Sequence, residues 1–127
     1  MAKRVLIIDD EEDFCELVKA NLETAGDFEV DIATESVKGL KIAMKNKPDL
    51  ILLDINMPGM DGYQVLENLR KDKRTIDLPV IMLTAFDDTE SKTRATQLYD
   101  DLYVVKPVNA EDLIAKINDV LKRRGTE

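Results

Sequence analysis

The chain has 127 residues, which is enough for one domain with a substantial core and too few for two. Acidic residues outnumber basic ones by 26 to 18, and the resulting charge of −8 argues against a binder of nucleic acid or anionic membranes. A single Cys and the absence of His exclude an internal disulfide, a His-based catalytic relay and zinc sites built from His or from four Cys.

Short apolar runs alternate with amphipathic stretches along the whole chain. In chain order they predict strand Val5–Asp9, a helix around Phe14–Ala25, strand Phe28–Ala33, a helix around Val37–Met44, strand Leu50–Asp54, a helix around Val65–Leu69, strand Val80–Thr84, a helix over Asp87–Leu98, strand Leu102–Val105 and a helix around Leu113–Leu121. Several strands are continuously apolar, which is typical of strands covered on both faces.

The helices differ in how well they should be held against a core. Apolar residues at helical spacing predict the buried faces of four of them, namely Phe14, Leu17, Val18, Leu22 and Ala25; Val37, Leu40, Ala43 and Met44; Val65, Leu66 and Leu69; and Leu113, Ile114, Ile117, Val120 and Leu121. Asn109 is a suitable N-cap for the last helix. The segment Asp87–Leu98 offers little beyond Ala95 and Leu98, so we expect a weakly held helix there.

Strands that alternate with helices indicate a mostly parallel sheet with helices on both faces, because right-handed crossovers place them there. In such sheets, functional groups gather beyond the carboxyl ends of the strands. No apolar segment approaches the roughly 20 residues that a membrane span needs. The first residues lead directly into a strand rather than a signal peptide, so we expect a cytoplasmic protein with no membrane insertion.

Five polar side chains are predicted at the carboxyl ends of the strands: Asp9, Asp10, Asp54, Thr84 and Lys106. Two like charges about 4 Å apart repel by roughly 4 kcal/mol at an effective dielectric of about 20, so three clustered carboxylates need protons or a cation. An all-oxygen cluster favours Mg²⁺ or Mn²⁺ over zinc. A lysine and a threonine facing that cation would leave room for a phosphoryl group.

Each of these residues by itself also has a purely structural explanation. Paired aspartates before a helix favour its dipole, and Asp54 before Met57-Pro58-Gly59 could begin a turn. Threonine is common in strands, and Lys106-Pro107 could be a solvated loop. Their occurrence together at one edge of a single predicted sheet favours a functional site.

The same residues lie in a specific set of motifs, in a fixed order and spacing. The motifs are VLIIDDE at Val5–Glu11, LILLDINMPGMDG at Leu50–Gly62, VIMLTA at Val80–Ala85 and YVVKP at Tyr103–Pro107. Through them the chain resembles the receiver domain of two-component response regulators over nearly its whole length. The resemblance implies an α/β fold, a doubly wound flavodoxin-like (βα)5 domain with a central five-stranded parallel sheet. Because no output domain follows, residues 1–127 are expected to form a single receiver domain of the stand-alone chemotaxis or phosphorelay type.

The resemblance also implies a phosphoacceptor and a metal site. Asp54 would accept a phosphoryl group from a phosphohistidine on a sensor histidine kinase or a histidine phosphotransfer protein. Asp10 and Asp54 would ligate Mg²⁺ or Mn²⁺ directly with the backbone carbonyl of Asn56, and Asp9 would act largely through metal-bound water. The protein would be a signalling switch that assists its own phosphorylation and dephosphorylation, rather than an enzyme.

Further roles follow from the same resemblance. Lys106 would pair with a phosphoryl oxygen, and the peptide bond between Lys106 and Pro107 is expected to be cis. Thr84 would hydrogen-bond to the phosphoryl group on activation. Tyr103 would be the aromatic switch residue. We expect a downstream protein to bind the helix predicted at Asp87–Leu98, the fifth strand and the last helix, and we expect no direct contact with nucleic acid. By the same resemblance Phe86 would lie beside the site, where an apolar side chain would shield rather than orient an attacking water.

Two other functions use related architectures. A phosphohydrolase of the haloacid dehalogenase type also has an Asp nucleophile after a parallel strand, but it needs an Asp two residues later, where this chain has Asn56. A flavin-binding flavodoxin needs a phosphate-binding loop after the first strand. Asp9, Asp10 and Glu11 would repel phosphate at that position.

Overall fold

The computed structural model describes residues 2–84, 102–106 and 109–123, and its frame is one sheet of five parallel strands. The strands are β1 (Lys3–Ile8), β2 (Phe28–Ala33), β3 (Leu50–Asp54), β4 (Val80–Thr84) and β5 (Leu102–Val105), in the order β2-β1-β3-β4-β5. The predicted five-stranded parallel sheet is therefore confirmed. β1 ends at Ile8, one residue earlier than predicted, so Asp9 lies just beyond the strand.

Four helices are described: α1 (Glu12–Thr24), α2 (Ser36–Asn46), α3 (Gly62–Lys71) and a C-terminal helix, Ala110–Arg123. The Asn109 side chain accepts a hydrogen bond from the Asp112 backbone N–H at 3.2 Å, as predicted for an N-cap. The helix predicted over Asp87–Leu98 lies outside the described residues. None of the described helices combines the length and the apolar character that a membrane span requires.

The helices cover the sheet on both faces, which makes the fold doubly wound as predicted. Val5 and Ile7 of β1 point into a core layer shared with α1 and the C-terminal helix. Leu6 and Ile8 point to the opposite layer, shared with α2 and α3. Because successive side chains of a strand alternate between faces, two apolar layers require a continuously apolar strand.

Three of the predicted core residues are wrong, and one of them, Ala25, is the exposed residue directly after α1. Leu17 of α1 is 59% exposed and Val37 of α2 is 52% exposed, although both fit helical spacing. The buried stripe of α1 is formed by Cys15, Val18 and Leu22. Leu17 is one residue away from this stripe and is therefore rotated about 100° around the helix axis. The spacing identified the helix correctly, but the direction that each helix faces depends on how it packs against the sheet.

A candidate metal and phosphoryl site at the carboxyl edge of the sheet

The strand order brings the predicted site residues to one edge of the sheet. β3 lies between β1 and β4, and β5 follows β4. Asp9 follows β1, Asp54 ends β3 and Thr84 ends β4, and all three side chains are buried. Lys106 directly follows β5. Parallel strands in this order thus place these side chains together although they are far apart in the sequence.

Three carboxylates form the acidic part of the site. One oxygen from each of Asp9, Asp10 and Asp54 lies within 4.8 Å of the others. Burial, and secondarily the negative charge of Asp9, raises the pKa of Asp54 to about 7 from its usual 3.8. Burial also raises the pKa of Asp9. Hard oxygen ligands whose charges repel one another fit a divalent cation such as Mg²⁺ or Mn²⁺.

Lys106 supplies the positive charge of the site. Its Nζ lies 2.7 Å from Asp9 Oδ2, 2.7 Å from Glu11 Oε1 and 3.7 Å from Asp54 Oδ1. Burial lowers the pKa of the ammonium, but hydrogen bonds to Asp9 and Glu11 outweigh this effect and the net pKa is raised. Lys106 therefore stays charged at the edge of the acidic cluster.

Three residues at the start of α1 belong to this site although the sequence analysis did not assign them to it: Glu11, which directly precedes the helix, and Phe14 and Cys15 in its first turn. Glu11 binds Lys106 and donates its backbone N–H to Asp9 Oδ1 at 2.9 Å. The Phe14 ring centroid lies 4.4 Å from Lys106 Nζ, within range of a cation–π interaction. The Cys15 thiol donates to the Asp9 carbonyl at 3.3 Å. Positions 11, 14 and 15 are three and four residues apart, a spacing that brings side chains to one side of the helix start next to Asp9. That spacing could have identified these three residues from the sequence.

The loop after Asp54 is fixed by the start of α3. The Gly62 N–H donates to the Ile55 carbonyl at 2.9 Å, and a Cβ at position 62 would collide with the Asp54 carbonyl oxygen. Asp61 and Gln64 form a reciprocal capping box, with hydrogen bonds of 3.0 and 2.9 Å. The first turn of α3 is thereby held directly against the strand end that carries Asp54.

The other predicted site residues, Asn56, Thr84 and Tyr103, differ in how far they are buried. Asn56 is exposed, and its backbone N–H donates to the Asp54 carboxylate. Thr84 is 2% exposed and pairs in register with Val105. Tyr103 is half-buried, and its hydroxyl lies 2.9 Å from the Tyr63 hydroxyl.

Phe86 and Pro107 lie outside the described residues. The cis bond expected between Lys106 and Pro107 therefore stays a prediction.

Comparison with known proteins gives a consistent set of matches. A family model described as the response regulator receiver domain matches residues 5–118. The DNA-binding dual master transcriptional regulator RpaA of Synechocystis is 41% identical over 120 residues, covering 94% of this chain and 49% of RpaA. The phosphate regulon transcriptional regulatory protein PhoB of Pseudomonas aeruginosa is 36% identical over 125 residues, covering 98% of this chain and 54% of PhoB. The chain thus spans about half the length of these relatives.

Solved structures resemble the chain over nearly its full length. The Vibrio cholerae chemotaxis protein CheY4 has a TM-score of 0.89 and 30% identity, covering 95% of this chain and 100% of that chain. A CheY-like response regulator receiver domain protein from Methanospirillum hungatei has a TM-score of 0.90 and 33% identity, covering 98% of both chains. The five-stranded sheet of this chain, which carries Asp9, Asp10 and Asp54 at its edge, therefore has the same fold as these two proteins.

Proposed function

Because the chain belongs to the response regulator receiver domain family, we propose that Asp54 accepts a phosphoryl group from a phosphohistidine and that this controls partner binding. The observation that carries the proposal is the position of Asp54. Its carboxylate is buried at the end of β3, within 4.8 Å of oxygens of Asp9 and Asp10, and 3.7 Å from Lys106 Nζ. A nucleophile, a metal site and a cation that can bind a phosphoryl oxygen are all within reach of one another.

The proposed reaction is a direct transfer between two proteins. An Asp54 carboxylate oxygen attacks phosphorus, and the phosphorus–nitrogen bond to the donor imidazole breaks. The imidazole keeps the electron pair and takes a proton from solvent. Lys106 neutralises negative charge on the phosphoryl oxygens, and the Thr84 hydroxyl donates to one of them. Positioning and charge stabilisation supply most of the catalysis in such transfers.

A divalent cation completes the proposed site. Asp10, Asp54 and the Asn56 backbone carbonyl would hold Mg²⁺ or Mn²⁺ directly, and Asp9 would bind it largely through water. When bound, the ion supplies positive charge that offsets charge on the transferring oxygens. The support from this chain is the close set of carboxylates and the raised pKa of Asp54, which comes from burial first and from the negative charge of Asp9 second.

The acceptor can be identified chemically. With Mg²⁺ and acetyl phosphate, intact mass should rise by one phosphoryl group, and chelation of the metal should prevent the rise. Reduction of the acyl phosphate with borohydride followed by peptide mass mapping should place the reduced residue at Asp54. A modification at Asp9 or Asp10 instead, or one that is independent of metal, would refute the assignment.

Metal binding should stabilise the protein by mass action. At an Mg²⁺ concentration about 100 times the dissociation constant, the gain is about 2.7 kcal/mol, or a melting temperature higher by roughly 5–10 °C. Asp10→Asn should weaken this response because a charged ligand is lost. Asp13→Asn, an exposed change on α1, is the matched control and should keep the full response. Melting curves of the unchanged protein that ignore millimolar Mg²⁺ would contradict the site.

We further propose that the phosphorylated chain acts by binding other proteins, as a switch and not as an enzyme. RpaA and PhoB are transcriptional regulators by name, and this chain matches about half of each. The net charge of −8 supports the proposal that this segment does not itself bind nucleic acid. The histidine donor, a cytoplasmic location, the binding face around β5 and the single-domain organisation of residues 1–127 are parts of this proposal.

A further inference from the structure

The first turn of α3 connects two parts of the site that are distant in sequence. On one side, Gly62 donates to the carbonyl of Ile55, the residue directly after Asp54. On the other side, the hydroxyl of Tyr63 lies 2.9 Å from the hydroxyl of Tyr103. Tyr103 belongs to β5, the strand that Lys106 follows. Two adjacent residues of α3 therefore contact both the strand end of the acceptor and the strand of the lysine.

The contact on the Asp54 side is a close packing of backbone against backbone. A Cβ at position 62 would collide with backbone atoms of Asp54 and Ile55, so the helix backbone packs directly on the strand end. The capping box at Asp61 adds further restraint to the same turn. A displacement of the Asp54–Ile55 backbone must therefore displace the start of α3, and Tyr63 with it.

The contact between α3 and β5 is the hydrogen bond between the Tyr63 and Tyr103 hydroxyls, and it depends on the position of the Tyr103 ring. Tyr63 is 3% exposed within the core layer of α2 and α3, and the half-buried Tyr103 packs against the same layer. A phenylalanine at position 63 would fill the same space, so packing by itself does not require the hydroxyl. Rotation of the Tyr103 ring would break the hydroxyl pair. The net effect of one such hydrogen bond is a shift of about two- to tenfold in a two-state equilibrium.

We propose that Tyr63 is a positioning residue whose hydroxyl holds the Tyr103 ring in the arrangement of the unmodified protein. Through Gly62 and Tyr63, a displacement of the loop after Asp54 is coupled to the position of the Tyr103 ring in β5. This inference rests on the proposed function in taking Asp54 as the modified residue and Tyr103 as the residue that responds. It adds a connection through α3 to the one through Thr84.

The hydroxyl pair can be tested first without any modification. Thermal unfolding of Tyr63→Phe, Tyr103→Phe and the double variant forms a double-mutant cycle. We expect the double variant to lose less stability than the sum of the two single variants, because both single changes break this hydrogen bond. Additive losses would show that the two hydroxyls do not interact energetically and would overturn the proposal.

The regulatory role needs a second measurement on the same proteins. Beryllofluoride with Mg²⁺ serves as a phosphoryl mimic, and the ¹⁹F NMR signal of 3-fluorotyrosine reports the surroundings of Tyr103. Tyr63→Phe should reach half-saturation at a beryllofluoride concentration two- to tenfold lower, since less energy is needed to populate the responding state. Thr75→Val is the matched control: it removes a hydroxyl that donates to the Leu69 carbonyl at 2.6 Å, near the other end of α3. That variant should lose stability without changing half-saturation.

The possible outcomes separate this inference from the proposed function. If the unchanged protein responds to beryllofluoride but Tyr63→Phe responds at the same concentration, the positioning role is wrong and the proposed function stands. A shift of equal size in Thr75→Val would attribute the effect to general destabilisation and would also overturn the inference. If the unchanged protein does not respond at all, the proposed function fails and the inference fails with it. The cycle would still report whether the hydroxyl pair contributes to stability.

Discussion

Asp54→Asn is expected to abolish phosphorylation by acetyl phosphate while raising the melting temperature of the metal-free protein by about 5–10 °C at pH 8. The loss follows because an amide is not a nucleophile toward phosphorus in this setting. The gain follows because Asp54 is buried beside Asp9, and both effects raise its pKa to about 7. Ionising this carboxyl in the folded protein therefore costs free energy, and a neutral amide of the same shape avoids that cost.

The stability gain has a defined dependence on pH. The folded-state pKa of Asp54 lies above its usual value of 3.8, so its contribution to stability is complete below 3.8 and is lost as the pH rises through about 7. The melting temperature difference between Asp54→Asn and the unchanged protein should be small near pH 4, grow up to about pH 7 and stay constant above it. Calorimetry in the presence of a chelator measures this difference directly.

A matched change tests whether the gain comes from burial. Asp119 is an exposed carboxylate that pairs with Arg123 one helical turn away, so Asp119→Asn should change the free energy of unfolding by less than about 0.5 kcal/mol at any pH. A gain for Asp54→Asn that does not vary between pH 4 and pH 8 would contradict the electrostatic explanation.

Lys106→Met is expected to lower the free energy of unfolding of the metal-free protein by about 3 kcal/mol at pH 8. Methionine keeps most of the volume that packs over Phe14, so the loss is mainly electrostatic. Lys106 lies 2.7 Å from the fully buried Asp9, and its charge lowers the pKa of both Asp9 and Asp54 against the larger effect of burial. Without it, both carboxyls lose the positive neighbour that the described part of the chain gives them.

The loss should be smaller in acid and should depend on Asp9. Near pH 4 the buried carboxyls of the variant take up protons, so less unpaired charge remains in the folded protein. Adding Asp9→Asn should recover a large part of the loss at pH 8. Denaturant unfolding at both pH values measures these differences, and a loss that Asp9→Asn does not reduce would contradict the assigned partner.

Glu11→Gln provides the comparison for the same lysine. Glu11 also lies 2.7 Å from Lys106 Nζ, but its side chain is 63% exposed. Exposed ion pairs contribute little because water screens them, so we expect a change below about 1 kcal/mol. Equal effects for Glu11→Gln and Lys106→Met would show that burial does not decide which partner matters.

The sequence by itself determined the sheet and the edge where the site lies. Four of the five predicted strands, such as Leu50–Asp54, match the structure at both ends. Strand and helix periods are local properties, and two covered faces require a continuously apolar run such as the one in β3. General rules for parallel sheets then place the residues after Ile8 and Leu53 at the same edge. That is why the clustering of Asp9 and Asp54 could be predicted without coordinates.

The tertiary structure decided which side chains contact one another at that edge. The Lys106–Glu11 pair joins residues 95 apart in sequence, and the Tyr63–Tyr103 pair joins residues 40 apart. Such contacts depend on which strands are neighbours and on how far each helix is rotated toward the sheet. The period of a helix does not specify that rotation, and for this reason the spacing in α1 predicted a buried Leu17 that is exposed.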